Sequence, residues 1–404
     1  MQSAETPPFV AIACGGTGGH LFPGLAVAEV LQRAGCSVSL AISPKAVDQL
    51  AVRTALGMEA ITLPAVGLGR GQLIAFLKGF WQSYRAARKI FRARPPKAVL
   101  AMGGFTSAPP ILAGRKAGAT TCLHESNSVP GRANRWLAPK VDLVFVGFPS
   151  AARGLNNHSL TITGTPVRPQ FRAMDAAGCR VALGLRPDKP VLLVMGGSQG
   201  ASGINHLLLG SLPQLAEQMP ELQILHLTGS GDFEKVRAAY AAQKLKAVVR
   251  PFLSEMEFAL GAATAAINRA GASSMAELAA MRLPALLIPY PDAADNHQYF
   301  NAQAWVETGA ARMLEQRDAT PEVLVRMVKA FFQDGVIRES IRTALAQWHQ
   351  PDAAEHIAAQ MLEAMARNGV LIPPSAPCNR PATTGNQLLR RVGPLMQRSN
   401  PEIA

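Results

Sequence analysis

Acidic residues are absent from a long part of this chain. No Asp or Glu occurs between Glu59 and Glu125, whereas Arg70, Lys78, Arg85, Arg88, Lys89, Arg92, Arg94, Lys97, Arg115 and Lys116 all fall there. With a formal net charge of +13, this implies an anionic partner for the first half: a phosphorylated ligand or a membrane surface. Aromatic residues make up only 6% and no DNA- or RNA-binding motif is present, so no nucleic-acid partner is expected. The five cysteines have no C-x-x-C spacing, which excludes a zinc ribbon and a disulfide framework and fits a reducing cytoplasm. No basic n-region precedes the first apolar run, so a secretory signal is not expected. No uninterrupted apolar stretch reaches the roughly 20 residues of a spanning helix. A membrane encounter would be peripheral.

What is present is alternation. Short apolar runs alternate with segments of helical period, which predicts βαβ units and parallel sheets. Strands are expected over Val10–Cys14, Ser37–Ile42, Ala98–Met102 and Thr120–His124, with a helix from Pro23 to Ala34. A second series follows: strands at Pro190–Met195, Leu222–Leu227, Ala247–Val249, Ala265–Asn268 and Leu286–Pro289, with a helix over Leu207–Gln218. The pattern reads as one architecture used twice, with a linker in Thr165–Arg180 broken by Pro166 and Pro169. The expected organisation is an N-terminal domain over 1–168, a C-terminal domain over 169–370 whose last helix packs back on the first domain, and a disordered tail over 371–404.

Three expected strands run directly into Gly-Gly pairs: Gly15-Gly16, Gly103-Gly104 and Gly196-Gly197. Glycine there permits a tight turn and close approach of backbone to ligand, and the following helix offers unpaired N–H groups to an anion. GGTGGH does not match the G-x-G-x-x-G dinucleotide fingerprint, and no G-x-x-x-x-G-K-[ST] loop exists. Tight strand-to-helix packing is the alternative reading of any single such turn.

GGTGGHLFPGLAVAEVL, MGGFTSAPP, HESNSVPGRANR, GTPVR, GGSQGA and RAGASSMAELA, followed by LPALLIPYPDAADNHQ, resemble the MurG family of glycosyltransferases (family 28) in order, over roughly residues 9 to 311. The resemblance implies a GT-B fold, two Rossmann-like parallel-sheet domains facing each other across a cleft. It implies inverting transfer of N-acetylglucosamine from UDP-GlcNAc to the polyprenyl-diphosphate muramoyl-pentapeptide, lipid I, giving lipid II for peptidoglycan. It places Thr17, Gly18 and Gly19 beside the donor and near the acceptor diphosphate, and Asn127 and Arg168 at the donor. Ser198 would bond the donor phosphate, Leu253 would present backbone to uracil, and Ala272, Ser273, Ser274, Met275, Ala276 and Glu277 would lie under the nucleotide. Glu277 would accept from the ribose hydroxyls, and Gln298 would read the sugar. His297 stands where some members have glutamine, Ser126 where glutamine is common, and Arg282 where glycine is usual. Other cell-wall synthesis proteins are conceivable partners.

Inverting transfer needs a proton acceptor and charge stabilisation at the leaving diphosphate. Asp292 and Asp295 do not form a D-x-D motif, so no metal or other cofactor is expected, and helix N-termini would carry the charge. His20 is the candidate base, because imidazole is largely free to accept a proton at neutral pH; its alternative role is hydrogen bonding to a ligand or loop. Glu125 is the competing carboxylate. Gly15, Gly16, Gly103 and Gly104 are assigned to the acceptor diphosphate, and Gly196-Gly197 to the donor. Leu73, Phe76, Leu77, Phe80, Trp81 and Tyr84 recur at helical spacing, accompanied by basic residues. Phe76, Phe80 and Tyr84 are expected in the core. Leu73, Ile74, Leu77 and Trp81, with Lys78 and Arg85, are expected as a patch on the cytoplasmic face of the membrane. Two other functions stay open: a related enzyme that glycosylates another lipid acceptor, and a non-catalytic UDP-sugar binder.

Overall fold

The computed structural model describes residues 6–371 other than 17, 46–47, 50–57, 65–72, 198–199 and 244. Thr17, Ser198 and the expected tail after its first residue, Leu371, therefore lie outside the described residues, as does the side chain of Leu73.

The chain divides into two compact units. Among the described residues, the first runs to Pro169 and also takes Ala294–Asn301 and the chain from Gln350 to Leu371; the second holds Gln170–Ala293 and Ala302–His349. The first unit contains a parallel seven-stranded sheet. Its strands are β1 (Phe9–Ala13), β2 (Ser37–Ile42), β3 (Glu59–Thr62), β4 (Ala98–Ala101), β5 (Thr120–Glu125), β6 (Leu143–Val146) and β7 (Leu160–Ile162), in the order β3-β2-β1-β4-β5-β6-β7. All five residues of β1 are buried, as a strand covered on both faces requires. Val10 and Ile12 meet the helices Gly18–Arg33 and Ala353–Arg367 through Leu21, Leu25, Ile357 and Met361. Phe9 and Ala11 face the other way, toward Phe91 and Ile111 of the helices Leu73–Ala93 and Ala108–Lys116.

The second unit repeats the plan with a parallel six-stranded sheet. Its strands are β8 (Val191–Met195), β9 (Gln223–Leu227), β10 (Lys246–Arg250), β11 (Ala265–Asn268), β12 (Ala285–Leu287) and β13 (Arg312–Met313), ordered β10-β9-β8-β11-β12-β13. Both sheets thus have the doubly wound order in which successive strands leave first to one side and then to the other. In each, the reversal falls between the first strand and the fourth, and ligands of such sheets bind outside the carboxyl ends of those two strands.

Strands β3, β6, β7 and β13 were not expected from the sequence. Leu143–Val146 is a four-residue apolar run too short to carry a period, and it is a strand because β5 and β7 pair with it on both sides. The two helices after the glycine turns begin earlier than expected, at Gly18 and Ser202, so Pro23 and Pro213 lie inside them. Each proline forfeits one backbone bond, Pro23 near the start of its helix and Pro213 in the interior of the other.

Candidate active site

The turns Gly15-Gly16 and Gly103-Gly104 leave β1 and β4, the two strands that flank the reversal of the first sheet. Between them lies His20, in the first turn of the Gly18–Arg33 helix. A Cβ on Gly104 would stand 3.0 Å from its Cε1 and 3.6 Å from the Gly15 carbonyl oxygen, so only glycine lets the imidazole lie against this backbone. Gly104 has φ +78°, which also favours glycine. Thr106 Oγ1 donates to the Gly15 carbonyl at 2.6 Å and ties the two turns together. Burial lowers the pKa of His20; Glu125 and then Asp48 oppose that through their negative charge, while His297 adds to it.

Gly16, assigned from sequence to the acceptor-diphosphate turn, has its N–H engaged within the protein. That N–H donates to Asp48 Oδ2 at 2.7 Å, and the Gly16 carbonyl accepts from Lys45 Nζ at 3.3 Å. The helix start at Gly18 and Gly19 offers N–H groups that have no partner within the helix.

Glu125 ends β5, and its carboxylate organises the loop that follows. One carboxylate oxygen accepts from Asn127 N (2.8 Å) and Asn127 Nδ2 (3.0 Å), the other from Gly131 N (2.8 Å) and Asn134 Nδ2 (2.8 Å). Four donors occupy a buried carboxylate, which folds the HESNSVPG loop around it. To act as a base, Glu125 would have to surrender one of them. Asn127 is drawn into the same network: its Oδ1 accepts from Asn301 Nδ2 at 3.1 Å, while Asn301 Oδ1 accepts from Ser128 N at 2.8 Å. Asp295 receives both Arg132 (3.1 Å) and Arg135 (2.8 Å). These bonds hold the Ala294–Asn301 segment within the first unit, and His297 and Gln298 belong to that segment. Beside His297, the Ala294 carbonyl lies 2.8 Å from its Nδ1. Arg168 is half-buried, its guanidinium 4.5 Å from the Phe22 ring centroid, and its charge acts on Glu29.

In the second unit, Gly196-Gly197 leaves β8 and Gly271 follows β11, again the strands at the reversal. A Cβ on Gly200 would strike the Thr228 backbone, so the turn packs directly on the end of β9. Beneath it lies a network of buried neutral groups that ends on the partly exposed Asp232. Asn205 Nδ2 donates to the Thr228 carbonyl at 3.0 Å and to Asp232 Oδ2 at 2.8 Å, which leaves its Oδ1 to accept from His226 Nε2 at 3.0 Å. His226 Nδ1 then accepts from the Tyr240 hydroxyl at 3.2 Å. Burial lowers His226 to about 4, so it stays neutral.

The helix Ala272–Ala280 starts at Gly271 without a side-chain cap, so its first N–H groups have no partner within the helix. Asn268 Nδ2 donates to Ser274 Oγ, which donates to the Gly271 carbonyl at 3.0 Å. Ser273, Ser274, Ala276 and Glu277 are partly exposed, whereas Ala272 is buried and the Met275 side chain is wholly in the core. Met275 can therefore meet a nucleotide only through backbone. Leu253, after β10, is likewise buried.

Two domain patterns match this chain: the glycosyltransferase family 28 N-terminal domain over residues 10–146 and the family 28 C-terminal domain over 191–357. The chain belongs to glycosyltransferase family 28. Among its family 28 relatives is the UDP-N-acetylglucosamine–N-acetylmuramyl-(pentapeptide) pyrophosphoryl-undecaprenol N-acetylglucosamine transferase of Acidithiobacillus ferrooxidans, 39% identical over 88% of this chain and 97% of that protein. The transferase of the same name from Anaeromyxobacter dehalogenans is 35% identical over 88% of this chain and 93% of its own. The crystal structure of Acinetobacter baumannii MurG superposes with a TM-score of 0.68 at 28% identity, covering 88% of this chain and all of that one. A putative UDP-N-acetylglucosamine 2-epimerase from Listeria monocytogenes shares the fold at a TM-score of 0.63 and 14% identity.

Sequence reasoning missed Asp48, Ser43, Lys45 and Asn301. Asp48 is a lone acid in a segment without a recognisable motif, and only the pairing of β1 with β2 brings it under Gly16. Asn301 lies in the quoted neighbourhood of NHQ but more than 170 residues from its partners, Asn127 and Ser128.

Proposed function

We propose that this protein moves N-acetylglucosamine from UDP-GlcNAc to lipid I with inversion, giving lipid II for peptidoglycan synthesis. The observation that carries the reading is His20 held between the glycine turns at the first sheet's reversal, in a chain of family 28. The acceptor diphosphate would sit at the Gly18 helix start and the Gly103-Gly104 turn. UDP-GlcNAc would sit at the Gly196-Gly197 turn and the Ala272 helix start, with Glu277 on the ribose. His20 Nε2 or Nδ1 takes the proton of the acceptor hydroxyl as its oxygen bonds the anomeric carbon, and UDP departs with the electron pair. The low pKa of His20 keeps it neutral and able to accept, while the Glu125 and Asp48 charges favour the imidazolium as it forms. The reading includes no metal, so turnover should survive a chelator.

Membrane association is part of the same proposal. On the Leu73–Ala93 helix, Ile74 (84%), Leu77 (50%) and Trp81 (58%) are exposed, while Phe80 and Tyr84 pack on the core and Phe76 is half-buried beside Phe80. Lys78 and Arg85 are exposed, and Arg85, Arg88, Lys89 and Arg92 line a basic surface pocket of about 570 Å³. Among the described residues no helix is long and apolar enough to cross a membrane. Apolar side chains flanked by cations suit an anionic interface, each cation contributing about 1 kcal/mol.

The test is product analysis by mass spectrometry with UDP-GlcNAc and a lipid I analogue. Formation of the disaccharide product supports the assignment; transfer only to diacylglycerol, or donor binding without transfer, overturns it.

A further inference from the structure

The loop after β2 grips the first glycine turn from both sides. Asp48 is fully buried, and its Oδ2 accepts from Gly16 N (2.7 Å), Ser43 N (3.1 Å) and Ser43 Oγ (2.5 Å). Lys45, three residues earlier and exposed, donates from Nζ to the Gly16 carbonyl at 3.3 Å and lies 5.2 Å from the Phe105 ring centroid. The Gly16 peptide, at φ +113°, is therefore fixed at its donor and at its acceptor. A Cβ on Gly16 would stand 3.1 Å from Phe105, so the turn is also closed on its other side. Among the described residues no cation pairs with Asp48, and its Oδ1 is buried without a hydrogen-bond partner. Its charge is met at Oδ2 by neutral donors alone and so acts on what lies nearby.

We infer that Asp48 is a positioning residue of the transfer reaction: it sets the orientation of the Gly15-Gly16 turn and keeps a buried negative charge against that turn. The inference rests on the proposed reading of that turn as the acceptor site and of His20 as the base. The first role belongs to binding geometry. The second makes the imidazolium easier to form, in company with Glu125, while His297 opposes it. Neither requires Asp48 to touch a substrate.

The test uses the full chain with UDP-GlcNAc and a lipid I analogue. Asp48→Ala removes both the acceptor oxygen and the charge. We expect kcat/KM for the acceptor to fall by about tenfold to a hundredfold, with donor KM within about twofold of wild type, since a displaced turn costs on this order. Asp48→Asn keeps an oxygen for Gly16 and Ser43 but loses the charge. Its acceptor KM should stay near wild type while the acidic limb of kcat/KM moves to lower pH, because the charge that raised His20 is gone. Wild-type kinetics in folded Asp48→Ala, a parallel rise in donor and acceptor KM, or a pH profile of Asp48→Asn that superposes on wild type would each overturn the inference. If Asp48→Ala does not fold, Asp48→Asn decides alone. If His20→Ala retains full turnover, the base reading fails by itself, and the KM split of Asp48→Ala still judges the positioning of the turn.

Discussion

The two units share one topology and one device, a glycine turn at the reversal of a parallel sheet, yet they support it with opposite chemistry. Under the first turn lie buried carboxylates: Asp48 on Gly16, and Glu125 on the HESN loop. Under the second lie neutral groups, Asn205, His226, Tyr240 and Thr228, with the charge of Asp232 kept at the half-exposed end of the chain of bonds. A site that only binds a diphosphate gains from neutral donors and from helix N-termini, and a buried negative charge there would oppose the ligand. A site that must also accept a proton gains from a negative charge near its base. The contrast fits the proposed division, proton transfer in the first unit and anion binding in the second, and it can be broken at several points.

The largest effect is expected at His20. His20→Ala should lower kcat by roughly 10²–10⁴-fold, with donor affinity nearly unchanged. A loss confined to acceptor KM would make His20 a ligand contact and remove the acid–base distinction between the units. Glu125 comes next, and its expected deficit is of another kind. Glu125→Ala leaves four donors, among them the buried Asn134 amide, without their acceptor, so unfolding free energy should fall by about 1–3 kcal/mol in denaturant titrations. A variant of wild-type stability whose turnover alone collapses would return Glu125 to the role of base.

Acid should reach both units through their histidines. His20 and His124 in the first and His226 in the second all have pKa values lowered by burial. Between the unfolded value of 6.5 and the lowered folded value, the unfolded chain binds more protons, so stability falls as pH drops through that window. For His226, lowered to about 4, the loss is complete below that pH and amounts to about 3 kcal/mol. His226→Gln cannot be protonated and should flatten the fall in urea midpoint between pH 7 and pH 4. An unchanged slope would place the acid sensitivity in the first unit alone.

Much of this comparison was legible in the residues. Strand runs ending in Gly-Gly marked three of the turns, and the alternation marked two parallel sheets, because glycine punctuation and apolar periodicity are local signals. The fourth turn, at Gly271, was read only as the start of a helix. What supports the turns is not local. Glu125 was visible as an acid after a buried strand, but whether its oxygens are empty or filled depends on Gly131 and Asn134, which reach it only once the loop has closed. Asp48 carried no signal at all. His297 and Gln298 follow strands of the second sheet in sequence, yet the pairs from Asp295 to Arg132 and Arg135 and from Asn301 to Ser128 group their segment with the first unit. Sequence spacing says nothing about such bonds.

The smallest effect tests a departure that the sequence did show. The resemblance leads one to expect glycine at the position of Arg282, and the chain there takes φ +49°. The position closes the Ala272–Ala280 helix: Arg282 N donates to the Ala279 carbonyl, and Leu283 N to the Leu278 carbonyl at 2.9 Å. A helix end of this form favours a left-handed residue, and a side chain with a Cβ costs roughly 1 kcal/mol there relative to glycine. Glycine also widens the unfolded ensemble, which offsets part of the gain. Arg282→Gly should therefore stabilise the second unit by about 0.5–1 kcal/mol, read as a higher denaturant midpoint with unchanged slope. Arg282→Ala keeps the Cβ and removes the charge, so it should leave the midpoint where it is. If alanine stabilised as much as glycine, the cost at this position would be that of the positive charge and not of the backbone, and the end of the Ala272–Ala280 helix would be under electrostatic rather than conformational strain.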